Sequence, residues 1–193
     1  MVDVMAKFAT QTNNDDLVSR ARTDAKALGR LYDLYYDQIF RFCLSRLFSR
    51  EAAEDITSIV FLTVARSIAG FKGRTRADFR NWLYRIAANH TNSHIRKTSR
   101  RKQLFEKAAR MMRIRSTNRA DNSVELDWPA LYAAISKLKL KHQTIIILRF
   151  FENLEFEQIA KIIKAKPSTV RVRLHRILGK LRDHLQSIMD GEA

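Results

Sequence analysis

Apolar residues recur along this chain at helical spacing, in blocks separated by short polar breaks. From Leu17, the positions Ala21, Leu28, Leu31, Leu34, Tyr35, Ile39 and Phe42 follow mostly at intervals of three and four, the period of one helix face. Asp15 and Asp16 stand just before that run, where a short acidic side chain can cap the first turn. Arg50 to Ala69 predicts a second helix, with Ile56, Val60, Leu62, Val64 and Ile68 as its apolar positions. The basic loop Phe71-Lys72-Gly73-Arg74-Thr75-Arg76 follows. Phe79, Trp82, Leu83 and Ile86 then stripe a third helix that runs on into Asn89, His94, Arg96 and Lys97.

Composition shifts beyond that point. Residues 96–119 carry ten Lys or Arg against one acid, Glu106, with weak periodicity. They predict a basic linker, with room for a helix over Leu104 to Met112. The helical pattern resumes after Trp128-Pro129. Thr144 to Phe151 reads TIIILRFF, a β-branched run that a buried strand would also accommodate. A helix is the preferred reading because nothing nearby offers a second strand to pair with it. Glu155 to Ile163 and Ser168 to Leu185 are two further helices with only a few residues between them. Five glycines and two prolines in 193 residues are too few turn formers for an all-β chain. The expected fold class is therefore all-α: two small helical domains joined by a basic linker. The expected boundaries are an arm at 1–14, a first domain at 15–98, a linker at 99–127, a second domain at 128–188 and a tail at 189–193.

Charge narrows the partners. Thirty-six Lys and Arg against 20 Asp and Glu give a formal net charge of +16, which a polyanionic partner explains most simply. DNA, RNA and an anionic membrane surface all fit that figure. At 46% hydrophobic residues, the chain has the apolar material for cores that a disordered basic tail lacks. No stretch approaches the roughly 20 apolar residues of a membrane span. The N-terminus lacks a charged-then-apolar signal pattern, so the expected location is cytoplasmic, without membrane insertion.

No catalytic set is visible, and the chain does not read as an enzyme. The lone cysteine, Cys43, sits in the apolar stretch Ile39-Phe40-Arg41-Phe42-Cys43-Leu44 and is expected to be an inert core thiol. Histidines stand at 90, 94, 142, 175 and 184. His90 and His94 share a helix face, but no Glu lies between them and their neighbourhood is basic, which argues against a metal site. There is no Gly-rich phosphate loop, and no cofactor is expected.

Two constellations carry the functional reading. In the first, Phe156, Ile159, Ala160 and Ile163 form the inner face of a short helix, Lys164-Ala165-Lys166 makes a tight turn, and Pro167 takes a first helical position. The next helix is expected to bury Val170, Leu174, Ile177, Leu178 and Leu181 while presenting Arg171, Arg173, His175, Arg176 and Lys180. That is the layout of a helix-turn-helix, whose second helix enters the major groove. Residues 161–182 hold eight Lys or Arg and no acid. A merely solvated helix face normally mixes signs to gain i,i+4 pairs. In the second constellation, Trp82 and Tyr84 merge into Asn89, Asn92, Ser93, His94, Arg96 and Lys97. Aromatic faces beside amides and cations suit unstacked bases. The competing reading makes Trp82 ordinary core, on one stripe with Phe79 and Ile86.

These residues resemble the extracytoplasmic-function sigma factors of the sigma-70 family. Leu31-Tyr32-Asp33-Leu34-Tyr35-Tyr36-Asp37-Gln38-Ile39-Phe40-Arg41-Phe42 is similar to the opening of their first domain. Ala53-Glu54-Asp55-Ile56-Thr57 with Val60-Phe61-Leu62 resembles their polymerase-binding helix. Phe79-Arg80-Asn81-Trp82-Leu83-Tyr84-Arg85-Ile86-Ala87-Ala88-Asn89 is close to their FRxWLYRIAxN motif, and Ser168 to Arg176 resembles their promoter-reading helix. The four motifs stand in the family's order, over about residues 17–185, with a linker where the family has one.

The resemblance implies a factor that binds core RNA polymerase at its clamp helices and flap and directs it to promoters, for a stress or envelope-signal regulon. Polymerase contacts would fall on Glu54, Asp55, Thr57, Ser58 and Phe61. The −10 element would be opened by Lys72, Arg74, Arg76, Trp82, Arg85, Asn89, Asn92, Arg96 and Lys97. The −35 element would be read by Ser168, Thr169, Arg171, Arg173, His175, Arg176 and Lys180. Many such proteins are held inactive by an anti-sigma factor. Departures from the pattern are Ser58-Ile59 where the family usually has Gln-Glu, Ala88 for Arg, Ser93 for Asp, Leu138-Lys139 for Leu-Pro, and Lys166 for a Ser cap. The rival readings are a stand-alone helix-turn-helix regulator, which leaves the Trp82 motif unexplained, and a basic RNA-binding or ribosome-associated protein.

Overall fold

The computed structural model describes residues 16–112 and 128–189, with side chains over 16–99 and 130–187. The expected arm, Asp15, residues 113–127 of the expected linker and most of the tail lie outside the described residues. Among those described, helices account for all regular structure and no strand occurs.

The first apolar run is broken where its spacing reads as continuous. A helical turn at 16–20 stops at residues 21–23. Asp24, with extended backbone, caps a new helix, α1 (Ala25–Leu47), by accepting from the Lys26 N–H at 2.8 Å. Leu17, Val18 and Ala21 still enter the core from the far side of the break. The buried stripe of α1 runs Leu31, Tyr35, Ile39, Phe42, Cys43 and Arg46. Leu34, expected on it, flanks the stripe and is exposed.

Helix α2 (Arg50–Ser67) is capped by Ser49, whose hydroxyl accepts from the Ala52 N–H. It buries Ala53, Ile56, Thr57, Val60, Phe61 and Val64. Leu62 points to the opposite face and is 49% exposed, since two residues along a helix is about 200° of rotation. A 3-10 turn at Ile68–Gly70 leads to the basic loop, and α3 (Arg76–Met112) follows. Phe79, Leu83, Tyr84, Ala87 and Ala88 of α3 are buried. The helix continues unbroken past residue 98 as far as Met112.

In the second half, α4 (Trp128–Lys137) is followed by α5 (Leu140–Ile146) and by a wide π turn at Ile147–Phe151. The run TIIILRFF is thus helical. The extra residue per turn places Ile147 and Leu148 in the core and leaves Phe150 exposed. Helix α6 (Phe156–Ile163) ends at Lys164 in the left-handed region, φ 54°. Helix α7 (Pro167–Met189) opens on Pro167. Val170, Leu174 and Ile177 of α7 are buried, whereas Leu178, expected among them, is 41% exposed.

The two halves pack on each other: the π turn lies on α1, and α6 lies on α3. Their apolar residues merge into one core cluster. Cys43 belongs to it, fully buried, and burial pushes its thiol up to about 11. Only about a thousandth of it is ionised near pH 8, and the thiolate is the reactive form. A thiol alkylating reagent at that pH should therefore modify the urea-unfolded chain to completion and leave the folded chain untouched. Rapid modification of the folded chain, followed by mass spectrometry, would contradict this packing.

Candidate nucleic-acid and polymerase interface

Three surfaces take shape from the fold. The first is the outer face of α2. Glu54, Asp55 and Ser58 are exposed there, with Glu54 paired to Arg50 at 2.9 Å and the Ser58 hydroxyl donating to the Glu54 carbonyl. Thr57 is fully buried beneath them, and Phe61 is buried against the Tyr32 ring at 4.7 Å. Ile59 and Leu62 complete the exposed face with apolar side chains. Ile59 stands out in the sequence as a departure from the family pattern; Leu62 is masked there by its place among apolar neighbours.

The second surface is the loop before α3 and the helix it feeds. Thr75 and Asp78 cap α3 reciprocally: the Asp78 N–H donates to the Thr75 hydroxyl at 3.1 Å, and the Asp78 carboxylate accepts from the Thr75 and Arg74 N–H groups. Gly73 is required in this loop, because a Cβ there would lie 2.3 Å from the Phe71 ring and 2.7 Å from Asp78. The Phe71 ring stacks on Trp82 at 4.6 Å and 24°. Trp82 is thus half-buried, packed against the core with one face taken by Phe71, between the two readings its sequence allows. Lys72 and Arg74 are exposed, and the Arg76 guanidinium lies 5.9 Å from the Tyr35 ring centre. Farther along α3, Asn89, Arg96 and Lys97 are exposed.

The third surface is α7. Ser168, Arg171, Arg173, His175, Arg176 and Lys180 are exposed and Thr169 is half-buried. Arg171 makes a 3.3 Å ion pair with Glu157 and covers the Phe156 ring at 5.2 Å. The turn between α6 and α7 is closed by the Ala165 N–H donating to the Ala160 carbonyl at 2.9 Å.

These surfaces are held together by contacts that sequence spacing does not reveal. The Arg46 guanidinium, 2% exposed, donates to the Gln143 amide oxygen at 2.7 Å and to the Asn92 amide oxygen at 2.5 Å. Burial lowers its pKa to about 10. Gln143 in turn donates to the Ser136 and Leu138 carbonyls. The Tyr84 hydroxyl donates to the Glu152 carboxylate at 2.6 Å, and burial raises both groups above their ordinary values. Arg85 donates to the Ile162 carbonyl at 3.1 Å and also to the Lys161 carbonyl. A cleft of about 640 Å³ opens between the halves, lined by Arg85, Asn89 and Asn92 on one side and Thr169 and Arg173 on the other. Lys141, Lys164 and Lys166 also line it, with no carboxylate in the lining. Nothing in the sequence links these three lysines to α3, and the fold alone brings them there.

Residues 31–101 match the family model of sigma-70 region 2, and residues 129–181 match that of sigma-70 region 4. SigW of Bacillus subtilis, an ECF RNA polymerase sigma factor, is 30% identical over 86% of this chain and 92% of its own length. The chain belongs to the ECF RNA polymerase sigma factors. The sigma-E factor of Haemophilus influenzae is likewise 30% identical, over 94% of this chain and all of the relative. BldN of Streptomyces coelicolor is 32% identical over 86% of this chain, which spans 63% of that relative. The fold is also that of CnrH solved with the cytosolic domain of CnrY (TM-score 0.62, 17% identity, 93% of this chain and 99% of that one). As a sigma factor, the protein works with core RNA polymerase on promoter DNA and directs promoter-specific initiation. The stand-alone regulator is not favoured, since it leaves the region 2 match without a role. No helix among the described residues is long and apolar enough to cross a membrane, and no group of three metal-ligating side chains occurs among them.

The loop cap has a testable electrostatic signature. Hydrogen bonding to the Thr75 side chain, then to the Thr75 and Arg74 N–H groups, holds Asp78 below the ordinary carboxylate value. A depressed folded pKa contributes stability above the unfolded value, about 3.8–3.9, and that stability is lost as pH falls through the folded pKa. The melting temperature of the parent should therefore exceed that of Asp78→Asn near neutral pH. The two should converge as the pH drops below about 4. A constant offset at every pH would show that the carboxylate charge does not matter to the cap.

Proposed function

We propose that the two halves divide the work of initiation. The first domain, 15–98, captures core polymerase on the outer face of α2. Glu54, Asp55 and Ser58 make its polar contacts there, on a helix seated by Thr57 and Phe61. Ile59 and Leu62 add an apolar contact in place of the family's usual charge. The same domain opens the −10 element at the Phe71–Asp78 loop and along α3, with Lys72, Arg74, Arg76, Arg96 and Lys97 on phosphates and Trp82, Arg85, Asn89 and Asn92 toward the bases. An unstacked base needs a surface that repays a few kcal/mol of lost stacking, and the stacked pair Phe71–Trp82 supplies aromatic area for it. The second domain, 128–188, sits on the polymerase flap and reads the −35 element with α7. Residues 99–127 link the two, between the arm at 1–14 and the tail at 189–193.

The observation that carries this reading is the pairing, in one chain, of a FRNWLYRIAAN helix with a second helix whose basic face has no acid from residue 161 to residue 182. Joining two modest DNA contacts through one polymerase raises the effective concentration of each. The protein has no chemistry of its own in this scheme; the polymerase supplies it, and no cofactor is needed. It acts in the cytoplasm on a stress or envelope-signal regulon. RpoE of Bartonella quintana was solved with the anti-sigma factor NepR (TM-score 0.60, 21% identity, 83% of this chain and 98% of that one). We extend to this chain control by an anti-sigma factor of its own.

Run-off transcription on a genomic fragment library, with core polymerase from the source organism, should give discrete starts preceded by two shared short elements. DNA binding without new starts would favour a stand-alone regulator. On a promoter found this way, Arg171→Ala with Arg176→Ala should lower selection of the upstream element at least tenfold, since each good base contact discriminates by about 1–3 kcal/mol. Binding to core polymerase should be unchanged. Equal loss of both would remove the −35 role from these arginines.

A further inference from the structure

We propose that Arg22 is a positioning residue for the −10 element: it fixes the Gly73 carbonyl, and with it the Phe71–Asp78 loop, and so sharpens base preference there without touching DNA. This inference rests on the −10 role proposed above for that loop. The Arg22 Nη2 donates to the Gly73 carbonyl oxygen at 2.5 Å, across 51 positions of sequence. Arg22 stands in the break at 21–23, ahead of the residues 31–101 that match region 2. The break is itself anchored. Leu17, Val18 and Ala21 are buried in the core, and the Ala21, Thr23 and Asp24 N–H groups donate to the Leu17 and Arg20 carbonyls. Arg22 is therefore presented from an anchored base, half-buried, with its Nε withdrawn from solvent. Its neighbour Arg20 differs: it is exposed and pairs with Asp16 and Asp24 inside its own turn.

The loop needs an anchor at that point. Its two ends are already held, Phe71 by its stack on Trp82, and Arg74 and Thr75 by the Asp78 carboxylate. Gly73 lies between them and is the residue type with the most backbone freedom. It cannot gain a side chain to restrain it, because a Cβ would meet the Phe71 ring and Asp78. A hydrogen bond to its carbonyl restrains it instead. Arginine suits that task, because a guanidinium stays charged when partly buried and a charged donor binds a carbonyl more strongly than a neutral one does. Lys72 and Arg74 flank Gly73 and are exposed. What fixes Gly73 therefore also fixes where those two cations and the Phe71–Trp82 stack face the promoter. A site that must tell one base from another depends on such support, since a loosely held side chain accepts the wrong partner with little penalty. Arg22 contributes geometry to this surface rather than charge to the DNA.

The test uses the full chain with core polymerase on a promoter found by run-off transcription, and on copies carrying single changes in each element. Arg22→Ala should lower discrimination against −10 changes about two- to tenfold, with discrimination at −35 and binding to core polymerase unchanged. Arg22→Lys, which keeps a charged donor, should recover part of that discrimination, and Arg20→Ala should match the parent. The slope of promoter binding against salt should not move, whereas loss of a phosphate contact lowers its magnitude by about 0.9. Without DNA, amide exchange over residues 71–78 should quicken in Arg22→Ala while α1 and α2 keep the parent's rates. Unchanged loop exchange, a salt slope lowered by about 0.9 with −10 preference intact, or equal losses at −10 and −35 would each overturn the proposal. Quickened exchange with −10 preference intact would overturn it as well, where Asn89→Ala, at an exposed position assigned to the bases, lowers that preference. Where Asn89→Ala also leaves it intact, the −10 role of this surface falls instead and the Arg22 anchor stands.

Discussion

Arg46 is the constraint on which the arrangement of the two halves depends. It sits on the buried stripe of α1, where every neighbouring position is apolar, and a guanidinium stays charged even there. A charge so placed must find oxygens. It finds one on α3 and one on α5, from Asn92 and Gln143, and thereby ties the first domain to the second. Gln143 is itself fixed by two carbonyls at the end of α4, so its oxygen is presented with little freedom to turn away. The result is a chain of hydrogen bonds from the first domain into the second, through a region otherwise filled by apolar side chains. Networks of this type specify an arrangement more than they stabilise it, because the desolvation cost nearly cancels the gain.

Much of the fold was legible in the sequence because most of it is local. Each helix buries a face that its own spacing declares, as Leu31, Tyr35, Ile39 and Phe42 do in α1 and Val170, Leu174 and Ile177 do in α7. Pro167 and the Lys164–Lys166 turn declare the helix-turn-helix within a dozen residues. The failures have local causes too. Leu62 and Leu178 are apolar residues on helical sequence positions that point outward, and composition cannot separate an apolar contact surface from a core position. The break at 21–23 is invisible because residues on both sides of it face the same core.

The contacts between the halves were not legible for a different reason. Tyr84 and Glu152 are 68 residues apart, Arg46 and Gln143 are 97 apart, and in each case one partner lies beyond the basic linker. Neither pair has a sequence signature, since a tyrosine in an apolar stripe and a glutamate after a hydrophobic run are both unremarkable. The family motif even hides the point: Tyr84 and Arg85 sit inside FRNWLYRIAAN, where resemblance directs attention to DNA. In the structure Tyr84 is buried and hydrogen-bonded, Arg85 is bonded to the backbone of α6, and Trp82, between them and the loop, faces Phe71 instead.

Residues of that motif are therefore engaged within the fold itself. Arg85 and Asn92 have donors and acceptors that a base or a phosphate could use, and in this structure the α6 carbonyls and the Arg46 guanidinium use them. Polar groups of this kind cannot be left unpaired when buried without a cost in free energy, so each needs a partner within the fold. The second domain supplies backbone carbonyls to Arg85, while Asn92 is satisfied within the first domain by Arg46. A carboxylate in the same place would pair with the cations there and hold the halves together more tightly. The cleft lining is free of acids, and Glu152 stands outside it on Tyr84.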